Sequence, residues 1–96
     1  MPGRMRAVAA EQREESTVVM YSRRTCGLCD EARAVILAER ERAPFRFEET
    51  FIDGDEPLEL RYGLRVPVVE VNGVEEFEIA VEPSRLRRLV SARRPG

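Results

Sequence analysis

Cys26 and Cys29 stand three positions apart in Cys26-Gly27-Leu28-Cys29, and the 96 residues hold no other cysteine and no histidine. Thiols at this spacing can close into a disulfide, exchange disulfides with another molecule, or supply half of a zinc site. The missing histidine removes the commonest general base and the commonest metal ligand. Neither a Cys-His nor a Ser-His catalytic arrangement can form. Zinc would need two further ligands from carboxylates or from a second chain. The metal reading thus narrows to a metal-bridged dimer, and no metal or organic cofactor is expected.

The flanking residues say how such a pair would be held. Thr17-Val18-Val19-Met20-Tyr21 is an apolar, β-branched run, which predicts a strand covered on both faces. Ser22-Arg23-Arg24-Thr25 breaks it. From Gly27 to Arg42 the period changes: Leu28, Ala32, Val35 and Ile36 fall at helical spacing among charged Asp30, Glu31, Arg33, Glu39 and Arg40. Thr25 is the expected N-cap, Asp30 and Glu31 suit the positive end of the helix, and Pro44 ends the segment. Cys26 therefore lies where a central strand meets a helix N-terminus. A thiolate there accepts hydrogen bonds from free N–H groups and sees the positive end of the dipole, which lowers its pKa. Arg23 and Arg24 add positive potential; Asp30 and Glu31 oppose it. Cys29, one turn further in, is expected to be more buried. Cys26 would attack and Cys29 would resolve.

The remaining chain supplies the frame. Phe45-Arg46-Phe47-Glu48 alternates with period two, and Phe51-Ile52 extends this second strand. Asp55 and Pro57 open a short helix with apolar Leu58 and Leu60 that stops near Gly63. Pro67 to Val71 reads as a third strand, and Asn72-Gly73 signals a hairpin into a fourth. In that fourth strand Phe77 and Ile79 alternate against Glu76 and Glu78. The acidic run Glu75 to Glu78 reads as the solvated side of an edge strand. Pro83-Ser84 opens a last helix with an apolar stripe of Leu86, Leu89 and Val90. Arg85, Arg87 and Arg88 are expected in water, and Arg93 and Arg94 at the negative end of the dipole. The predicted class is α/β, in the order β-α-β-α-β-β-α, giving a mixed four-stranded sheet flanked by helices. Residues 1–15 read as a flexible tail and 16–96 as one domain.

Composition bounds the partners. Sixteen basic residues, all arginine, against 18 acidic ones leave a net charge of −2. That balance gives no electrostatic case for nucleic acid. No apolar run approaches the ~20 residues that span a bilayer. Ala7-Val8-Ala9-Ala10 is too short for the core of a secretory signal, which needs roughly 7–15 residues. A cytoplasmic location is expected. In a reducing compartment a close cysteine pair is more often catalytic or metal-binding than a structural staple.

Val66-Pro67 is the second feature. X–Pro bonds are cis in only about 5–6% of cases, but Pro67 opens the strand after the second helix. In this topology that point lies beside the N-terminus of the first helix. A cis bond would turn the Val66 backbone toward Cys26 and offer its N–H and C=O to an extended substrate chain.

The stretch from Val18 to Cys29, with Arg65-Val66-Pro67 and Val71-Asn72-Gly73 downstream, resembles the glutaredoxin-like branch of the thioredoxin superfamily. The resemblance runs roughly from Thr17 to Val90. It implies a thioredoxin-like fold, a nucleophilic Cys26, a resolving Cys29 and a cis Pro67. Arg23 occupies the place of the lysine that contacts the glutathione carboxylate, and Val66 would supply the backbone contact to the glutathione cysteine. Thr25, Gly27 and Leu28 complete the implied substrate-binding loop. The family's Gly-Gly-Asp signature is replaced by Glu76-Phe77-Glu78-Ile79-Ala80-Val81-Glu82, whose bulk and charge would obstruct an anionic tripeptide. Its usual Cys-Pro-Tyr-Cys is replaced as well, so the resemblance is carried to fold and dithiol chemistry alone. The expectation is a monomeric thiol–disulfide oxidoreductase. Its substrates would be protein disulfides or mixed disulfides of small thiols, and its reductant is unidentified. The rival is a redox-inert interaction module on the same scaffold.

Overall fold

Residues 15–92 are described by the structure, a computed structural model. The tail expected over residues 1–15 lies outside them except for Glu15, as do Arg93 and Arg94. The elements run β1 (Thr17–Ser22), α1 (Gly27–Arg42), β2 (Arg46–Phe51), α2 (Glu56–Tyr62), β3 (Val68–Val71), β4 (Val74–Glu78) and α3 (Pro83–Ser91). This is the predicted order. The sheet is arranged β2-β1-β3-β4. β1 is parallel to β2, with Met20 opposite Glu49, and antiparallel to β3, with Met20 opposite Val69. β1 is thus central, and its last residues deliver the chain to α1.

Period-two burial sorts the sheet's side chains between two clusters. Val18, Met20, Val69 and Val71 pack with Ala32 and Ile36 of α1 and Leu86 of α3. Tyr21 and Val68 pack instead with Ile52 and with Leu58 and Tyr62 of α2. Cys29, although on α1, belongs to this second cluster.

The hairpin turn uses Asn72 at φ 53° and Gly73 at φ 86°, the pairing that a two-residue turn with two positive φ values selects. Asn72 also clamps the start of β1. Its Oδ1 accepts from the Thr17 N–H at 2.9 Å, and its own N–H donates to the Thr17 carbonyl at 2.8 Å.

Several residues of the helices and of the fourth strand sit differently from, or more specifically than, the sequence reading. Glu39 is not a solvated helix residue: it is 6% exposed and takes two hydrogen bonds of 2.8 Å from the Arg87 guanidinium. Arg87 accordingly serves this pair rather than facing water freely, and Arg85 likewise binds the Glu76 carboxylate at 2.6 Å. Leu60 is 84% exposed, whereas Leu58 packs against the cluster that holds Ile52, Tyr62 and Val68. Ile79 is not in β4. A register shift at Val69/Glu70 precedes the strand's end, and Ile79 turns to φ 74°.

Candidate functional site

The first turn of α1 is capped by sulfur. Cys26 is the N-cap, with φ −153° and ψ 107°, and its Sγ accepts the Cys29 N–H at 3.1 Å. Thr25, the expected cap, is exposed and sits one position too early. Because Cys26 holds the last extended backbone before the helix, its side chain receives the free amide that a capping hydroxyl would otherwise take. Cys26 and Cys29 are joined as a disulfide with Cα atoms 5.2 Å apart. The exposures differ as expected: Cys29 is fully buried, whereas Cys26 is only partly so. One sulfur can be reached, and the other waits beneath it.

One acid of the first turn is paired. Asp30 pairs with Arg33 at 2.8 Å, and the same guanidinium grips both oxygens of Glu49 at 2.8 and 2.6 Å. The Ser22 hydroxyl donates to Glu49 Oε2 at 2.7 Å. These bonds, the Arg33 one foremost, hold the Glu49 carboxyl below the ordinary carboxylate range despite its burial. The network pins the start of α1 to the ends of β1 and β2. Glu31 remains exposed.

The two upstream arginines fasten the β1–α1 loop to its neighbours. Arg23 Nη1 lies 3.8 Å from Glu59 Oε1 on α2, an open pair of little energetic weight. Gly63 leaves room for this side chain, since a Cβ there would come within 2.9 Å of Arg23 Nη2. The Arg24 guanidinium lies over the Phe51 ring at 4.6 Å, and its N–H donates to Asp53 Oδ1 at 3.1 Å.

Val66 and Pro67 are both buried, and the bond between them is cis. Val66 shares the cluster of Cys29, against which Cys26 also packs. Neither its N–H nor its C=O has a hydrogen-bond partner among the described residues. The neighbouring carbonyls are used: the Ile79 N–H donates to Pro67 O at 2.8 Å and Arg65 O at 3.3 Å. The structure therefore brings together Cys26, Cys29 and Val66-Pro67, with Gly27 and Leu28 exposed on the helix start. Arg23 is directed to α2.

Tyr21 and Tyr62 escaped the sequence reading. Their rings stack at 4.2 Å, 15° from parallel, in the cluster that holds the disulfide. Burial pushes the Tyr62 hydroxyl up to about 12. The spacing of four from Leu58 to Tyr62 was the available signal. Among the described residues no group of three or more potential metal-ligating side chains converges, and no helix is long and apolar enough to cross a membrane.

A mixed sheet of this order, with Cys-x-x-Cys opening the helix after its central strand and Pro67 leading into the antiparallel neighbour, defines the thioredoxin-like fold. The chain belongs to the Glutaredoxin-like domain (DUF836) family, whose model matches residues 17–91. The X-ray structure of protein XcR50 from X. campestris is 36% identical, with a TM-score of 0.66, covering 78% of this chain and 96% of that one. Protein Ne2328 from Nitrosomonas europaea is 28% identical, with a TM-score of 0.70, over 80% and 93%. Thioredoxin from Fasciola hepatica, at 18% identity and a TM-score of 0.56 over 94% and 91%, shares the fold. No curated protein matches the chain significantly. Family, fold and the cysteine pair together point to a redox function.

Proposed function

We propose that the protein is a thiol–disulfide oxidoreductase that works through Cys26 and Cys29. One observation carries this reading: a reachable sulfur accepts a helix-start amide directly above a buried partner sulfur. In the reduced protein that amide and the helix dipole favour the Cys26 thiolate. The thiolate attacks one sulfur of a substrate disulfide, forms a mixed disulfide and expels the other sulfur as a thiolate. Cys29 then loses its proton and attacks Cys26 Sγ. The Cys26–Cys29 disulfide forms, the second substrate thiolate leaves, and two electrons have passed from the dithiol to the substrate. A thiol or dithiol reductant returns the pair to its starting state. The N–H and C=O of Val66, without a partner among the described residues, suit the backbone of an extended substrate beside the sulfurs. The reading includes action as a monomer in the cytoplasm, where thiols are kept reduced.

Removing the resolving step tests it. Cys29→Ser should accumulate a mixed disulfide on Cys26 with a model disulfide, seen as a dithiothreitol-sensitive mass increase. Cys26→Ser should accumulate none. Absence of any adduct on Cys29→Ser would overturn the exchange mechanism and favour the redox-inert scaffold.

A further inference from the structure

The start of α1, from Leu28 next to Cys29 in the chain, and the segment between β4 and α3 leave a small groove of ≈ 80 Å³ lined by Leu28, Ala32, Val35, Ile79 and Val81. Two of these residues stand out for their exposure, Leu28 at 46% and Ile79 at 40%. Ile79 is unusual in a second way. Its φ of 74° lies in the left-handed region, which a β-branched residue occupies only at a cost. Glycine would hold that backbone without penalty. The fold thus tolerates strain to place an exposed isoleucine at the mouth of the groove, one hydrogen bond from Pro67.

The groove's size and charge restrict its occupant. Sites for whole small molecules run to roughly 300–1,000 Å³, so this one takes a single side chain. Glu31 also lines it, and the arginines on the β4 side are already engaged, Arg65 by Glu75 and Glu78, and Arg85 by Glu76. Glu82 is consumed in capping α3, accepting from Ser84 and Arg85 N–H groups. Among the described residues of this rim, the arginines of the β4 side are all paired, which disfavours an acidic ligand.

We propose that Ile79, with Leu28, is a specificity-determining residue that admits one apolar side chain flanking the target cysteine of a polypeptide disulfide, in preference to a polar or acidic one. The inference rests on the exchange reaction proposed above. It adds the class of substrate and the residue that selects it.

The test compares three peptide disulfides that differ only in the residue next to the cysteine, leucine, serine or aspartate, with bis(2-hydroxyethyl) disulfide as a small neutral probe. Rate constants are measured with the reduced full chain. Leucine should be preferred over serine by about 10-fold, the discrimination that one apolar pocket supplies, and aspartate should be slowest. Ile79→Gly should collapse the leucine-to-serine ratio to roughly 2-fold while raising the urea midpoint, because the strained φ is relieved. Leu28→Ser should lower the same ratio in a second background. An unchanged ratio in both variants, or no leucine preference in the wild type, overturns the inference while reduction of the small probe keeps the exchange mechanism intact. Failure to reduce even that probe overturns both.

Discussion

On one face of the sheet nine buried side chains knit α1 and α3 to β1 and β3; on the other, five are gathered with α2, and Cys29 is one of them. The first face is closed by Leu86 and Ile36, both fully buried, and by the Glu39–Arg87 pair that joins its two helices. The second is thinner. Its helix has seven residues and leaves Leu60 and the following Leu64 almost wholly in water, and the backbone of Val66 in the same cluster has no hydrogen-bond partner among the described residues. The difference separates two demands on a small domain. Stability needs sealed apolar surface, whereas exchange needs a sulfur and a backbone edge that a partner can touch. Here the larger cluster closes around Leu86 and Ile36, while the buried Cys29 belongs to the smaller one.

The division is sharpened most by mutating equal apolar residues on the two faces. Leu86→Ala should cost about 3 kcal/mol, since it opens a cavity in the closed cluster. Leu60→Ser should stay within about 0.5 kcal/mol. Urea unfolding of both variants decides it: comparable losses would mean that α2 is a structural equal and that the faces do not differ in this way. A smaller effect concerns acid. Hydrogen bonds from Arg87 hold the Glu39 carboxyl below the ordinary range, against the opposing effect of its burial. Its folded pKa is therefore depressed, so on acidification the unfolded chain binds this proton first. The contribution is present above pH of about 4.5 and is lost as pH falls through the folded value. Glu39→Gln should flatten the loss of stability below that pH without removing it, because Glu49 and Glu82 are also held low. An unaltered acid slope would show that the α1–α3 pair does not hold the closed face.

What was legible in the chain was what short-range pattern encodes. The switch from Val18-Val19-Met20 to the Leu28, Ala32, Ile36 spacing marks the strand-to-helix boundary, and Asp55, Pro57 and Asn72-Gly73 each fix a local backbone. That boundary is also what places Cys26, so the core of the site came with the fold. The misreadings share a cause in distance or in chemistry. Glu39 reads only as one charge among several on its helix, because its partner Arg87 lies 48 residues away. The period-two run continues through Ile79, but the strand ends because the Ile79 N–H goes to Pro67 O. Thr25 matches the usual preference for a capping hydroxyl, whereas the backbone puts sulfur in that position. Arg23 and Arg24 read as charges near the cysteine, and their contacts with Glu59 and Phe51 could not be read from spacing.

The smallest expected effect probes the open face from the alkaline side. Tyr62 is 2% exposed, and burial, with Tyr21 beside it, raises its hydroxyl to about 12 from an ordinary 10.0. In the unfolded chain the phenol ionises first, so the folded form holds the proton over this interval. Linkage then makes stability fall as pH rises: the contribution is complete below pH 10.0 and is lost by about pH 12. Tyr62→Phe keeps the ring that stacks on Tyr21 and deletes the titrating group. Its urea midpoint should therefore decline less between those two pH values than that of the wild type. The Cys26–Cys29 pair should be kept oxidised so that thiol ionisation does not contribute. If the two curves ran parallel, the Tyr62 hydroxyl would have water access in the folded state, and the cluster around Cys29 would be looser than its packing implies.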